Sequence, residues 1–328
     1  MKRRQFLAAA VLGPLWVQMA GMSRAAGAAP VLKLATQVSG TVNWELQTII
    51  RHGFDQQSGF SLEVIDTADA AAAQVAFHGG EADAIVSDFL WVARQRAAGK
   101  DYVFIPYSRA VGALMVPGDS AVTTLAGLKG QKIGIAGGPV DKSWLILQAY
   151  ARKAENFDLK GETEQVFGAP PLIFQQALSG ELAGAVNFWH FGAKMAAAGM
   201  RPLVTVSQAA EALGLDPQTP LLGYVVKGEL MKGNPAAVRG LAAASRAAKA
   251  LLASDDATWI ALRPLMNAKT DEQFEALKTG FREGIPAAGA VDLEAAAGLL
   301  ELMASLGGKD LMGDVTTLPD GVFLSPEP

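Results

Sequence analysis

Gly80-Glu81-Ala82-Asp83-Ala84-Ile85-Val86-Ser87 returns one hundred residues later as Gly180-Glu181-Leu182-Ala183-Gly184-Ala185-Val186-Asn187. Each copy reads as a glycine-led turn into a short apolar run of the kind that forms a buried strand. The offset extends in both directions. Downstream, Ala97-Ala98-Gly99 precedes a strand expected at 103–106, as Ala197-Ala198-Gly199 precedes one at 203–206. Upstream, the strand around Leu34 with Ser39-Gly40 and Trp44 lines up with the strand around Ile133 with Gly137-Gly138 and Trp144. Four elements at one spacing describe a single βα design used twice.

Working outward, period-2 and period-3.6 patterns predict strands at 32–36, 62–65, 84–87, 103–106, 132–136, 184–187 and 203–206, with helices between them. In the stretch 43–55, Leu46, Ile49 and Ile50 share one face, and in 141–154 Leu145, Leu147 and Tyr150 supply apolar surface. Right-handed strand-helix-strand crossovers would cover both faces of a mostly parallel sheet in each unit. The expected fold class is therefore α/β, two lobes facing each other across a cleft. Crossings are expected at 107–113, where Ser108, Arg109 and Gly112 interrupt a strand-like run, and at 221–227, where Gly223 does the same. Helices at 235–253, 271–283 and 292–306 would finish the chain on the first lobe.

The N-terminus carries Arg3-Arg4 before Phe6-Leu7, then an apolar stretch broken by Gly13-Pro14, then Arg24 and the small residues 25–29. This is the pattern of a cleaved twin-arginine export signal, with cleavage expected near Ala28 and a periplasmic destination. Residues 1–28 are thus read as signal peptide, 29–108 as the first part of one lobe, 109–222 as the second lobe, and 223–328 as the return. Four of the 28 Lys and Arg residues lie in the signal, so the mature chain sets 24 against 32 acids. That surface offers nothing to nucleic acid or an anionic membrane. The chain has no cysteine, which excludes disulfides, thiolate metal sites and cysteine nucleophiles.

At Ser39-Gly40, at the two Gly-Glu turns, and at Leu125-Ala126-Gly127-Leu128-Lys129-Gly130-Gln131-Lys132-Ile133-Gly134-Ile135, the chain resembles the periplasmic binding proteins of nitrate, sulfonate, taurine and bicarbonate importers. That family also includes binders of a thiamine pyrimidine precursor. The resemblance spans about residues 32–283. It implies a two-lobed, type II-like periplasmic-binding-protein fold, closure about a hinge over a small ligand, and as partners an ABC permease and ATPase in the inner membrane. Ala183 stands where the family usually has aspartate. A monomer without cofactor is expected, and an enzyme is not. The alternatives are a ligand-presenting accessory of a periplasmic sensor, or a binder of a metal or metal-chelate.

Ligands of open α/β sheets bind beyond the carboxyl ends of strands, against helix N-termini. The repeat provides four such mouths. They carry Ser39, Gly40, Thr41 and Asn43; Ser87, Asp88 and Phe89; Gly138, Asp141, Lys142 and Ser143; and Asn187, Phe188, Trp189 and His190. Glycines let main-chain amides approach, and the short polar side chains orient a ligand or cap their own helices. Trp44, Trp91, Trp144 and Trp189 all fall in the mouths, which favours a planar or partly apolar ligand. Phe89 and Trp189, equivalent by the repeat, are expected to bracket it. Lys142 and Arg109 are the cations placed to neutralise a carboxylate or sulfonate, so the expected ligand is a small organic molecule, anionic and/or planar. Gly134-Ile135-Ala136-Gly137-Gly138 lacks dinucleotide-loop spacing, and no pair of histidines has the i, i+4 spacing of a helical metal site.

Overall fold

In a computed structural model describing residues 29–325, ten strands form two five-stranded sheets. The export signal read at 1–28 lies outside the described residues. The first sheet runs β2 (Ser61–Thr67), β1 (Val31–Gln37), β3 (Ala84–Asp88), β10 (Leu222–Lys227), β4 (Tyr102–Ser108). The second runs β7 (Glu164–Gly168), β6 (Lys132–Ala136), β8 (Gly184–Asn187), β5 (Ala113–Pro117), β9 (Met200–Thr205). The two orders superimpose element for element, as the internal repeat requires. Gly80 and Gly180 occupy the same left-handed position, φ +84 and +80, where a Cβ would be strained. Asp83 accepts the Lys33 amide at 2.9 Å, so this carboxylate builds the turn. Ala183 keeps the equivalent main-chain bond, to the Lys132 carbonyl, without the side-chain one.

Each sheet is mostly parallel, four strands running one way and one reversed. β1 pairs parallel with β2 and β3, but β10 runs antiparallel between β3 and β4. β6 likewise pairs parallel with β7 and β8, with β5 antiparallel between β8 and β9. Residues 221–227, read above as a crossing, are largely β10 itself. The chain enters each sheet, after leaving the other, as that sheet's one reversed strand.

Helices α1 (Val42–His52), α2 (Phe54–Gln57), α3 (Ala70–Gly79) and α4 (Phe89–Ala97) flank the first sheet, and α5 (Lys142–Glu155), α6 (Pro170–Leu178), α7 (Trp189–Ala197) and α8 (Val206–Ala212) the second. After β10 come α9 (Gly228–Gly233), α10 (Pro235–Ser254), α11 (Asp256–Leu262), α12 (Asp271–Glu283) and α13 (Leu293–Met312). Their starts follow capping chemistry: Asp69, Asp88, Asp141, Asn234, Asp255, Thr270 and Asp292 each accept an amide of the first turn. α13 does not simply rejoin the first lobe. It packs against both α4 and α5, and its buried Leu300 and Met303 join the apolar side chains of the two lobes into one cluster. The segment after it returns to the first sheet, where Phe323 bridges Phe104. No helix among the described residues is long and apolar enough to cross a membrane.

The lobes meet at a second place. α7 of the second lobe lies along α12, whose Phe274, Leu277 and Phe281 belong to the first lobe's core. Here Trp189 stands edge-on to Trp44, ring centroids 6.0 Å apart and planes 87° apart. A Cβ at Gly280 would come within 2.9 Å of the Trp189 ring, so the absence of a side chain there makes room for the tryptophan.

Candidate functional site

Between the lobes lies a cavity of about 440 Å³, and all four strand-to-helix mouths open on it. Gly40 and Thr41 come from the start of α1, Ser87 and Asp88 from the end of β3. Asp141, Lys142 and Ser143 come from the start of α5, and Phe188, Trp189 and His190 from the start of α7. That size suits a small organic molecule.

The other five expected site residues do not line this cavity, each for a local reason. Ser39 is exposed. Asn43 turns back, donating from Nδ2 to the Gln37 and Val38 carbonyls at 2.9 Å each. Gly138 accepts the Asp141 amide within the loop below α5. Asn187 is buried, its Nδ2 donating to the Pro170 carbonyl and its Oδ1 accepting the Phe188 amide. Phe89 is fully buried between Phe104 and Phe323, so the expected bracketing by Phe89 and Trp189 is not what the fold builds. Of the mouth tryptophans, Trp44, Trp91 and Trp144 are buried in the cores, and Trp189 alone lines the cavity.

Several lining residues carried no signal in the mouths. Tyr107, at the end of β4, shares a hydrogen bond with Thr41 and turns one side to the cavity. Gln37, Gln74 and 110–112 complete the wall. Beneath Tyr107 lies a buried polar network. Glu45 Oε1 accepts from the Tyr224 hydroxyl at 2.7 Å and the Ser245 hydroxyl at 2.6 Å, while Lys249 Nζ lies 2.6 Å from Oε2 and 4.8 Å from the Tyr107 ring centre. Burial, reinforced by the Glu45 charge, holds the Tyr107 phenol far from ionisation.

The charges on the cavity wall are largely spoken for. Asp88 caps α4, accepting the Trp91 amide at 2.8 Å, and its other oxygen lies 3.0 Å from Lys142 Nζ across the cleft. Asp141 caps α5 through the Trp144 amide at 3.0 Å, and burial raises its carboxyl above the ordinary range. Arg109 is drawn off to the Ile285 carbonyl and does not line the cavity. Among the described residues no group of three or more His, Asp or Glu is placed to hold a metal.

His190 is pushed down from 6.5 to about 4, first by burial and then by the nearby Lys194 charge. It is therefore a neutral ring at pH 7, able to donate from one nitrogen and accept at the other. A depressed native pKa means that the unfolded chain binds the extra proton first as pH falls. The stability from the neutral ring is intact above about 6.5 and is lost progressively toward about 4. The full shift corresponds to roughly 3 kcal/mol, and water in the cavity, open to one side of the ring, screens the effect below that. Denaturant unfolding followed between about pH 7 and about pH 4 should show this slope, and His190→Gln should flatten it. An unchanged slope would mean that other groups carry the acid sensitivity.

The description NMT1/THI5 like belongs to the family model that matches residues 49–257 of the 328. No curated protein matches the chain in sequence. Among solved structures, the chain is similar to the periplasmic aliphatic sulphonate binding protein SsuA of Escherichia coli, with a TM-score of 0.70 at 15% identity over 91% of this chain and 94% of that one. It is similar to the alkanesulfonate-binding protein SsuA of Xanthomonas axonopodis pv. citri bound to MOPS, with a TM-score of 0.67 at 15% identity over 91% and 99%. A ligand-binding component of an ABC-type import system from Staphylococcus aureus, with zinc bound, aligns with a TM-score of 0.65 at 12% identity over 90% and 97%. At such identities the likeness speaks for the fold.

Proposed function

The chain belongs to the NMT1/THI5-like family, and from that premise we propose that it is the solute-binding component of an ABC importer, working in the periplasm as a monomer. It captures a small, partly planar organic ligand between its lobes and presents the closed form to a permease served by an ATPase. The observation that carries this reading is the interlobe cavity, walled by the equivalent mouths of both copies of the repeat. A cavity shared in this way couples occupancy to closure, because a ligand touching both walls binds the closed form better than the open one. The sulfonate-binding names of its structural neighbours support the same role. The family, the fold and the Arg3-Arg4 leader support export of a folded protein by the twin-arginine route.

The test is a thermal and small-angle-scattering screen of the mature chain against sulfonates, carboxylates and amines. A true ligand at one hundred times its Kd should add about 2.7 kcal/mol of stability, contract the particle and emerge unaltered. Turnover of the hit would sink the binding-only reading. The contact between α7 and α12 supplies a control. Gly280→Leu thrusts a side chain into the Trp189 ring, so this variant should keep its fold, fail to contract, and bind the same hit about tenfold more weakly. Normal contraction would show that closure does not use this seam.

A further inference from the structure

Resting on that reading of the cavity, we infer that His190 reads an acidic group of the ligand and takes up a proton from solvent as that group binds. The four mouths are not alike. At α4 and α5 the first-turn amides are answered by the helix's own cap, Asp88 and Asp141. α1 and α7 have no side-chain cap. The amides of Thr41 and Val42 at α1, and of Trp189 and His190 at α7, have no acceptor among the described residues, and all four residues line the cavity. Such amides, at the positive end of a helix dipole, seat an anionic oxygen. The edge contact of Trp44 with Trp189 brings these two first turns together across the lobes, so one acidic group can draw on both.

His190, the second residue of α7, is largely buried on the cavity wall, and neither ring nitrogen has a hydrogen-bond partner among the described residues. An anion taken out of water among amides gains from an opposing charge. The wall's lysine, Lys142, is already paired to Asp88 at 3.0 Å, and Arg109 does not line the cavity. Burial keeps the empty site's imidazole neutral, and an anion beside the ring opposes that effect and favours the imidazolium. The charges around the ring leave this to the ligand. Lys194, one turn further along α7 with Lys269 beyond it, opposes protonation. β5 and α6, packed on α7, carry no ionisable side chain, and Arg201 of β9 donates to the Ser120 and Val122 carbonyls. Along α12, Asp271 pairs with Arg263, Lys278 with Glu275 and Asp256, and Arg282 with Asp256. Glu272 is exposed, and Glu283 lines a second groove that His190 does not reach. Across the cavity stand Asp88, Asp141, Lys142 and the un-ionised phenol of Tyr107.

The test is calorimetric titration of the mature chain with benzenesulfonate, ionised throughout the range used, and with benzenesulfonamide, its neutral counterpart in shape. Benzenesulfonate should bind about tenfold more tightly at about pH 5 than at about pH 8, and benzenesulfonamide equally at both. Titrations in buffers of different ionisation heat should show a proton taken up with the sulfonate at the acidic end, a count that the parent chain gives without any variant. His190→Gln keeps a donor at the wall, so it should bind benzenesulfonate with the parent's alkaline affinity and no slope. Asp141→Asn, which still caps α5, removes a like charge from the wall and should bind the sulfonate more tightly at the alkaline end while keeping the slope. A slope that survives in folded His190→Gln, a slope lost in Asp141→Asn, or binding without proton uptake would overturn the assignment to His190. If benzenesulfonate fails to bind at either pH while the screen above yields another ligand, this inference falls and ligand capture stands; a screen with no hit at all removes both.

Discussion

Phe89→Ala is expected to cost the fold about 3 to 5 kcal/mol and to leave ligand affinity of the folded fraction unchanged. Phe89 is fully buried, with its ring 5.4 Å from Phe323 and 6.2 Å from Phe104. Those partners are held in register by main-chain bonds that clamp the C-terminal segment to β4. The Phe104 amide donates to the Val322 carbonyl at 2.7 Å, and the Leu324 amide to the Phe104 carbonyl at 2.8 Å. Truncating Phe89 leaves a void that two aromatic neighbours cannot collapse to fill. The loss should appear in denaturant unfolding, together with faster proteolysis of the C-terminal segment at positions 320–325. An affinity loss in a variant of wild-type stability would return Phe89 to the cavity wall.

Phe89 and Trp189 show how far the repeat can be read. Both are the first residue of the helix that follows the middle strand of their sheet, and the hundred-residue offset equates them correctly. Their surroundings differ because of segments far away in the chain. The tail at 322–324 covers Phe89, whereas α12 packs on α7 and leaves Trp189 between the first lobe's core and the cavity. A periodicity argument sees the equivalence and not the cover. The same limit explains β5 and β10. Each is a short apolar strand adjoining a lobe crossing, and nothing local tells a crossing from the reversed strand that it feeds. Local chemistry, by contrast, was legible. The glycine turns at 80 and 180 and the caps Asp88 and Asp141 follow from residue type and position alone.

The buried network under Tyr107 had no local signal at all, since Glu45 meets Ser245 from 200 residues away. Glu45→Ala is expected to destabilise the chain by about 3 to 5 kcal/mol, the cost of leaving one member of a buried pair without its partner. The orphan would be Lys249, whose ammonium is 2.6 Å from Glu45 Oε2 and already displaced downward in pKa by burial, with Glu45 opposing that displacement. With Glu45 gone, the lowering by burial is unopposed. A lysine depressed in the native state makes stability rise with pH up to its unfolded value, because the unfolded chain holds the extra proton. The Glu45→Ala variant should therefore regain part of its lost stability as pH is raised toward about 10. A simple packing loss has no such slope. Lys249→Met added to Glu45→Ala should recover more than the two single losses allow if they were independent, since the pair is then replaced by apolar volume. Additive losses in that cycle, with no pH slope in Glu45→Ala, would mean that the carboxylate is held by Tyr224 and Ser245 and that the ion pair contributes nothing of its own.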